Sequence, residues 1–153
     1  MPFTPFHFGP GIFIKSIFTK KFSLTVFIIT QIVIDTEVLW NLFFGDERLH
    51  TFFHTYLGSF VVLIIVFFVV KFAQVLKLFQ CPSSIILLST AIGAWSHVFL
   101  DSLMHPDITP WYPWAFQNFM LNQISLSSLH MGCLILGGIG ITIWFFARST
   151  QRR

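Results

Sequence analysis

Charged side chains are scarce in this chain of 153 residues, where they make up 10% of the sequence. A soluble domain of similar length carries about 25% charged residues, so the composition excludes an ordinary soluble protein. Cysteine is also scarce: only Cys81 and Cys133 occur, and the topology predicted below places them toward opposite membrane faces, which excludes a disulfide between them. The net charge of +3 is mild and comes from scattered Lys and Arg, so nucleic acid is not expected as a partner.

Apolar residues are correspondingly abundant, at 55% of the sequence with 21 phenylalanines, which suits a surface in contact with lipid. About 20 apolar residues cross a bilayer core, and four stretches are long enough to do so. The predicted spans are residues 22–44, 56–79, 85–104 and 126–146. The sequence therefore predicts an all-α membrane protein with a single integral membrane domain over residues 1–153. It would be a compact bundle of four transmembrane helices, preceded by an N-terminal re-entrant or interfacial entry segment at residues 1–21.

Basic residues indicate how the four spans are oriented. Arg48 is the only cation predicted to lie outside, and the other Lys and Arg flank segment ends that would share the cytoplasmic side: Lys15, Lys20, Lys21, Lys71, Lys77, Arg148, Arg152 and Arg153. The positive-inside rule then predicts that both termini lie in the cytoplasm. The expected location is a prokaryotic inner (plasma) membrane. The loop around Trp111 and Trp114 would lie at the external interface, where aromatic residues are enriched.

Three polar residues follow one another at steps of four near the end of the third predicted span. His97, Asp101 and His105 advance about 400° per step, so they form one stripe on a helix. Two imidazoles that flank a carboxylate can close on a divalent metal such as zinc. A polar cluster inside a membrane segment is costly, which favours a functional site over the alternative of a helix end anchored in the headgroups.

The predicted topology brings other ionisable side chains to the same leaflet. Asp35 and Glu37 lie in the outer part of the first span, and His50 and His54 precede the second. The four-residue step from His50 to His54 puts two imidazoles on one helical face, as in zinc-binding helices, although such a pair is also typical of a membrane interface. Because chance would distribute polar residues over both faces, their convergence favours a metal site.

Other members of this polar group have separate interpretations. Asp35 and Glu37 are about 200° apart on a helix, so one is predicted to bind metal while the other supports a histidine, unless the helix is broken there. His7 would reach the site only if residues 8–19 re-enter the membrane, with a turn at their Gly-Pro-Gly sequence. His130, at the start of the fourth span, is expected to be a packing residue rather than a ligand.

Four segments carry a resemblance to a known family: MPFTPFHFGPG, IDTEVLWNLF, LHTFFHTYLGS and SHVFLDSLMHPDITPWYPW. Their order and spacing, over nearly the whole chain, resemble the YdjM-like membrane-bound metal-dependent hydrolases. The resemblance implies a small multi-span protein with a divalent metal site. It maps these residues onto the polar motif positions of the family: His7, Asp35, Glu37, His50, His54, His97 and Asp101. His105 sits where the family allows other side chains. The family is distantly similar to zinc-dependent phospholipase C and P1-type nucleases, which implies phosphoester hydrolysis.

The expected cofactor is one or two zinc ions, with manganese or iron as alternatives. The ligands that the resemblance implies exceed the three or four of one catalytic zinc, which allows a two-metal site. Bound metal would acidify water and polarise a phosphoryl oxygen. Asp35, Glu37 and Asp101 are the catalytic candidates, and the non-ligating one of the first two would be the general base. A site at bilayer depth favours a lipid or amphiphilic substrate, such as a phospholipid or a polyprenyl phosphate. The alternative function is metal or haem binding, or transport, without hydrolysis.

Overall fold

The computed structural model describes residues 5–45 and 48–150. After a 3-10 turn at Pro5–His7, the helices are α1 (Phe8–Ile17), α2 (Leu24–Phe44), α3 (Tyr56–Val75), α4 (Ser83–Met104) and α5 (Leu126–Thr150). No β-strand occurs within the two described ranges. Helices α2 to α5 are each long and apolar enough to cross a membrane. The prediction of an all-α membrane protein with four spans is therefore confirmed.

Local sequence signals set the helix ends. The side chain of Ser23 caps α2 by accepting a hydrogen bond from the Val26 N–H, and Gly45 ends the helix in the left-handed conformation, with a φ of 77°. Helix α3 ends earlier than predicted, at Val75, because Lys77 has a positive φ of 57° and turns the chain. The other observed boundaries differ from the predicted ones by only a few residues.

Helices α2 and α4 lie side by side and run in the same direction, with α3 antiparallel to both. The Ser23 N–H donates to Ser89 Oγ at 2.8 Å, and further along the pair the Gln31 side-chain amide donates to the Gly93 carbonyl at 3.1 Å. The buried apolar core of this three-helix unit consists of Val26, Ile34, Val62, Val66, Val70, Ile86 and Ala94. Because lipid is as apolar as these residues, close packing and interhelical hydrogen bonds hold the unit together.

Helix α1 has ten residues and is therefore about 15 Å long, roughly half the thickness of a bilayer core. It packs along α5 and runs in the same direction: Gly9 lies against the backbone of Cys133, and Gly140 lies against the backbone of Phe13. The predicted turn at Gly-Pro-Gly is wrong, because these residues belong to the first turn of α1, where Pro10 lacks an N–H that would be unpaired anyway. The entry segment is thus a half-length helix inserted beside α5.

The two ends of the bundle differ in charge. Among the described residues, Arg48 lies at the end where α3 begins, and the remaining cations lie at the other end: Lys15, Lys20, Lys21, Lys71, Lys77 and Arg148. His7 contacts Asp101 near the end of α4, so the described chain begins at the Arg48 end. Helix α5 ends at the opposite end, so the two ends of the described chain lie on opposite faces of the bundle. The prediction that both termini share the cytoplasmic side has no support in this arrangement. Residues 1–4, 46–47 and 151–153, and with them Arg152 and Arg153, lie outside the described residues.

The contact between α1 and α5 gives a first prediction. A Cβ atom on residue 140 would lie 2.8 Å from the backbone of Phe13, whereas one on residue 138 would meet nothing within 4 Å. Gly140→Ala should therefore force the helices apart and lower the free energy of unfolding by about 1–3 kcal/mol. Gly138→Ala, the matched control, should be neutral or slightly stabilising because alanine favours the helix. Thermal unfolding of both variants in detergent tests this, and equal melting temperatures would contradict the observed packing.

Candidate metal centre

Four buried side chains from three segments converge on one point. Asp35 comes from the middle of α2, His54 from the loop before α3, and His97 and Asp101 from successive turns of α4. Each offers a nitrogen or carboxylate oxygen, and these atoms all lie within 4.8 Å of one another. The two imidazoles are completely buried, and Asp101 is 2% exposed. We call these four residues the central cluster.

Distances within the central cluster are those of donor atoms that surround a common centre. Asp101 Oδ2 lies 3.0 Å from His97 Nε2 and 3.6 Å from His54 Nε2. Asp35 Oδ1 lies slightly farther from the same two nitrogens, at 3.4 Å and 3.9 Å. Neither Nε2 atom makes a hydrogen bond of acceptable geometry in the described part of the chain. Buried polar atoms without partners are costly, and a divalent cation at the centre would satisfy both nitrogens and the carboxylates together.

The other ring nitrogen of each cluster histidine has a fixed partner. His54 Nδ1 lies 3.1 Å from Glu37 Oε2, and His97 Nδ1 contacts Gln31 Oε1. Protonated Nδ1 atoms that donate to these oxygens leave both Nε2 lone pairs directed at the central cluster. Histidines that bind metal almost always donate their second N–H to a carboxylate or carbonyl in this way. The central cluster therefore has the orientation that metal binding requires.

Asp35 and Glu37 point to different places, as their spacing predicts. Asp35 belongs to the central cluster, whereas the Glu37 carboxylate accepts hydrogen bonds from the backbone N–H groups of Thr51, at 3.1 Å, and Phe53, at 2.9 Å, in addition to its contact with His54. Glu37 thus holds the loop that carries His54 as well as the imidazole itself. A continuous α2 helix accommodates both roles, with no break between the two carboxylates.

The remaining predicted residues gather beside the central cluster, around Asp101. His7 Nε2 lies 3.1 Å from Asp101 Oδ1, so the N-terminal segment does reach the site. His50 and His105 offer ligand atoms within 4.8 Å of each other and of Asp101. His130 is separate from this group: its ring stacks on Phe6, with centroids 4.1 Å apart.

His50 and His105 lie outside the spans, and their environment favours the neutral imidazole. Burial, together with the nearby His54, lowers the pKa of His50, and burial also lowers the pKa of His105. Both pKa shifts favour the neutral ring, which keeps a lone pair available for a metal. Burial raises the pKa of the Asp107 carboxyl, but its hydrogen bonds with His50 outweigh this effect and hold the pKa below its ordinary value.

Two residues that contact the site histidines were missed by the sequence interpretation. Gln31 lies one helical turn before Asp35, and an amide side chain at that spacing in an otherwise apolar span could have indicated its role. Asp107 accepts from the His50 backbone at 3.1 Å and contacts His50 Nδ1 at 2.9 Å. It follows α4 in an irregular loop, where no sequence periodicity predicts which side chain it meets.

A surface pocket of about 280 Å³ adjoins His50. Its lining consists of Arg48, His50, Thr51, Phe52, Thr55, Asp107, Thr109 and Tyr112. Arg48 is the one cation at this end of the bundle among the described residues. The pocket therefore combines a positive charge and aromatic surface next to His50.

Comparison of the chain with protein-family models, with curated proteins and with solved structures gives no match.

Metal analysis tests the central cluster. Protein purified in detergent should contain a transition metal, and His97→Ala combined with Asp101→Ala should lose most of it, because two donor side chains are removed. His130→Ala should retain full occupancy, since His130 lies outside the cluster. Glu37→Gln preserves shape and all four cluster residues, and it should weaken metal affinity roughly 10–100-fold by disturbing His54. Full zinc, manganese or iron occupancy in the double variant would rule out this site.

Proposed function

We propose that this protein is a membrane-embedded, metal-dependent hydrolase that cleaves a phosphoester in a lipid or another amphiphilic molecule. The observation that carries the proposal is the central cluster, in which two buried imidazoles with oriented Nε2 atoms face two carboxylates. The likeness of the sequence motifs to the YdjM-like hydrolases agrees with this reaction class. Zinc is the favoured ion, and manganese and iron are alternatives that accept the same nitrogen and oxygen donors.

His54, His97 and Asp101 are the proposed ligands of the ion. Two imidazoles and one carboxylate form a known donor set of catalytic zinc, in which a fourth position stays open. Asp101 is preferred over Asp35 as the carboxylate ligand because its oxygen lies closer to both imidazole nitrogens. When bound, a divalent ion supplies Lewis acidity that polarises a phosphoryl oxygen and acidifies water.

Asp35 is the proposed general base, and Glu37 is a positioning residue. The Glu37 carboxylate already accepts two backbone hydrogen bonds and contacts His54, so little of its capacity remains for a reacting water. Asp35 belongs to the central cluster, and its side chain is the more exposed of the two cluster carboxylates, at 10% against 3% for Asp101. A carboxylate in that position can accept the proton of the attacking water.

The pocket beside His50 supports an amphiphilic phosphoester as the substrate class. Arg48 provides the positive charge that a phosphate group needs, and Phe52 and Tyr112 provide apolar surface. Exposed aromatic residues of the loop after α4, including Trp114 and Phe116, are typical of the membrane interface. A pocket that opens at the membrane interface would suit a molecule with a phosphate head and lipid tails, such as a phospholipid or a polyprenyl phosphate.

The distribution of acidic residues favours catalysis over transport. The four acidic residues in the described part of the chain all belong to the site or contact its histidines: Asp35, Glu37, Asp101 and Asp107. A transport path would need polar ligands at several depths across the membrane. The concentration of carboxylates at one level is what a hydrolytic centre requires.

Activity measurements separate the proposed roles. Metal-loaded protein should hydrolyse a lipid phosphoester, lose activity with a chelator and regain it with a divalent ion. Asp35→Asn should lower kcat roughly 10²–10⁴-fold while the metal stays bound, because only the base is lost. Asp101→Asn should lose both metal and activity, and His130→Ala should keep both. If metal-loaded protein cleaves no lipid phosphates, pyrophosphates, esters or amides, metal binding or transport becomes the better explanation, and an intense Soret band would identify haem.

We also propose that the Arg48 end of the bundle, with the site, faces outward from a prokaryotic plasma membrane. The cations at the opposite end support this orientation through the positive-inside rule. Single-cysteine variants Gln117→Cys and Ser149→Cys, made with Cys81→Ser and Cys133→Ser, provide the test. In intact cells a membrane-impermeant maleimide should label residue 117 only, and residue 149 should react after permeabilisation. The reverse pattern would invert the orientation.

A further inference from the structure

The geometry points to a second divalent-metal site, in which His50 and His105 share Asp101 with the central cluster and His7 lies against the same carboxylate. Asp101 would then bridge two ions, one bound through each carboxylate oxygen. This inference rests on the metal-binding part of the proposed function and does not depend on the substrate.

The two oxygens of Asp101 face different groups of histidines. Oδ2 lies 3.0 Å from His97 Nε2 and 3.6 Å from His54 Nε2. Oδ1 instead lies 3.1 Å from His7 Nε2 and 4.0 Å from His105 Nε2. A carboxylate with imidazole nitrogens beside each oxygen is suited to bridge two cations, because each oxygen has its own set of nitrogen donors.

His50 completes the second group and is oriented like a metal ligand. Its ring centroid lies 4.2 Å from that of His105, and a ligand atom from each lies within 4.8 Å of Asp101. His50 Nδ1 contacts Asp107 Oδ2 at 2.9 Å, so Nε2 remains free for a cation. This carboxylate–imidazole pair repeats the arrangement of Glu37 with His54, and second carboxylates of this kind are common behind metal-bound histidines.

Two buried atoms at the second site lack hydrogen-bond partners. His7 Nε2 and Asp101 Oδ1 are 3.1 Å apart, and neither atom has a hydrogen-bond partner of acceptable geometry among the described residues. The two residues are 3% and 2% exposed. Leaving both groups unpaired in a low-dielectric interior is costly. An ion held between them would satisfy both atoms.

A pair of ions would suit the proposed chemistry. Two metals about 3.5–4 Å apart, as in many phosphatases and nucleases, stabilise the attacking and leaving oxygens of a phosphoryl transfer together. The second site is the less enclosed of the two, since the His105 side chain is 21% exposed and His50 borders the surface pocket. We therefore expect the second ion to exchange with solvent more readily than the first.

Metal counting with Mn²⁺ tests the second site. Protein stripped with a chelator, reloaded with Mn²⁺ and passed through a desalting column should retain two ions per chain. Its electron paramagnetic resonance spectrum should show the exchange coupling of neighbouring Mn²⁺ ions. His50→Ala and His105→Ala should each retain one ion with an uncoupled six-line spectrum. Asp107→Asn should weaken binding of the second ion alone, roughly 10–100-fold, and His130→Ala should bind both.

The outcomes distinguish this inference from the proposed function. A single uncoupled ion in the wild-type chain, unaffected by His50→Ala and His105→Ala, would overturn the second site and leave a one-metal hydrolase intact. Absence of Mn²⁺ and Zn²⁺ binding in the wild-type chain would overturn both proposals. The metal-free variants should unfold at the same temperature as the metal-free wild type. Such a match would show that the loss of an ion is not caused by the loss of the fold.

Discussion

Burial of the Asp101 carboxylate is the constraint on which the rest of the site depends. An ionised carboxylate in the interior of a membrane bundle costs several kcal/mol unless charges or donors surround it. Asp101 is 2% exposed, and imidazoles reach it from the turn before α1, from the loop before α3 and from α4 itself. The Asp101 carboxylate therefore positions the segments that surround the end of α4. These segments must shield it from lipid and supply it with polar partners.

A second layer of polar residues determines which ring nitrogen each imidazole directs toward the candidate metal sites. Glu37, Gln31 and Asp107 contact the Nδ1 atoms of His54, His97 and His50, respectively. Glu37 also accepts backbone N–H groups from the loop that carries His54, so the same carboxylate orders the loop and orients the ligand. Because this layer fixes the positions of the imidazoles in advance, little reorganisation would be needed for a cation to bind, which would favour tight and geometrically defined binding.

The sequence predicts the spans and the main polar groups well, and the contacts between segments poorly. Apolar length and four-residue spacing depend only on local helix geometry, so the four spans and the placement of His97 and Asp101 on one helical stripe could be predicted. The helical positions predicted for His105, His50 and His54 are wrong, because His105 follows the end of α4 in an extended conformation and the other two lie in the loop before α3. The role of Asp107 and the helical conformation of Gly-Pro-Gly depend on which distant residues pack against them. The end of α3 depends on the left-handed backbone of Lys77, a conformation that its residue type does not favour.

Helix α5 contributes no residue to either group of potential ligands, yet the site depends on it. A helix of ten residues cannot cross a bilayer, and its terminal backbone groups would be unpaired in lipid unless protein covered them. The close approach of Gly9 to Cys133 and of Gly140 to Phe13 lets α5 cover α1 along its length. This cover holds His7, at the start of α1, against Asp101. The glycines of the α1–α5 contact would thus affect the proposed metal binding indirectly, because a bulkier residue there would withdraw His7 from the carboxylate.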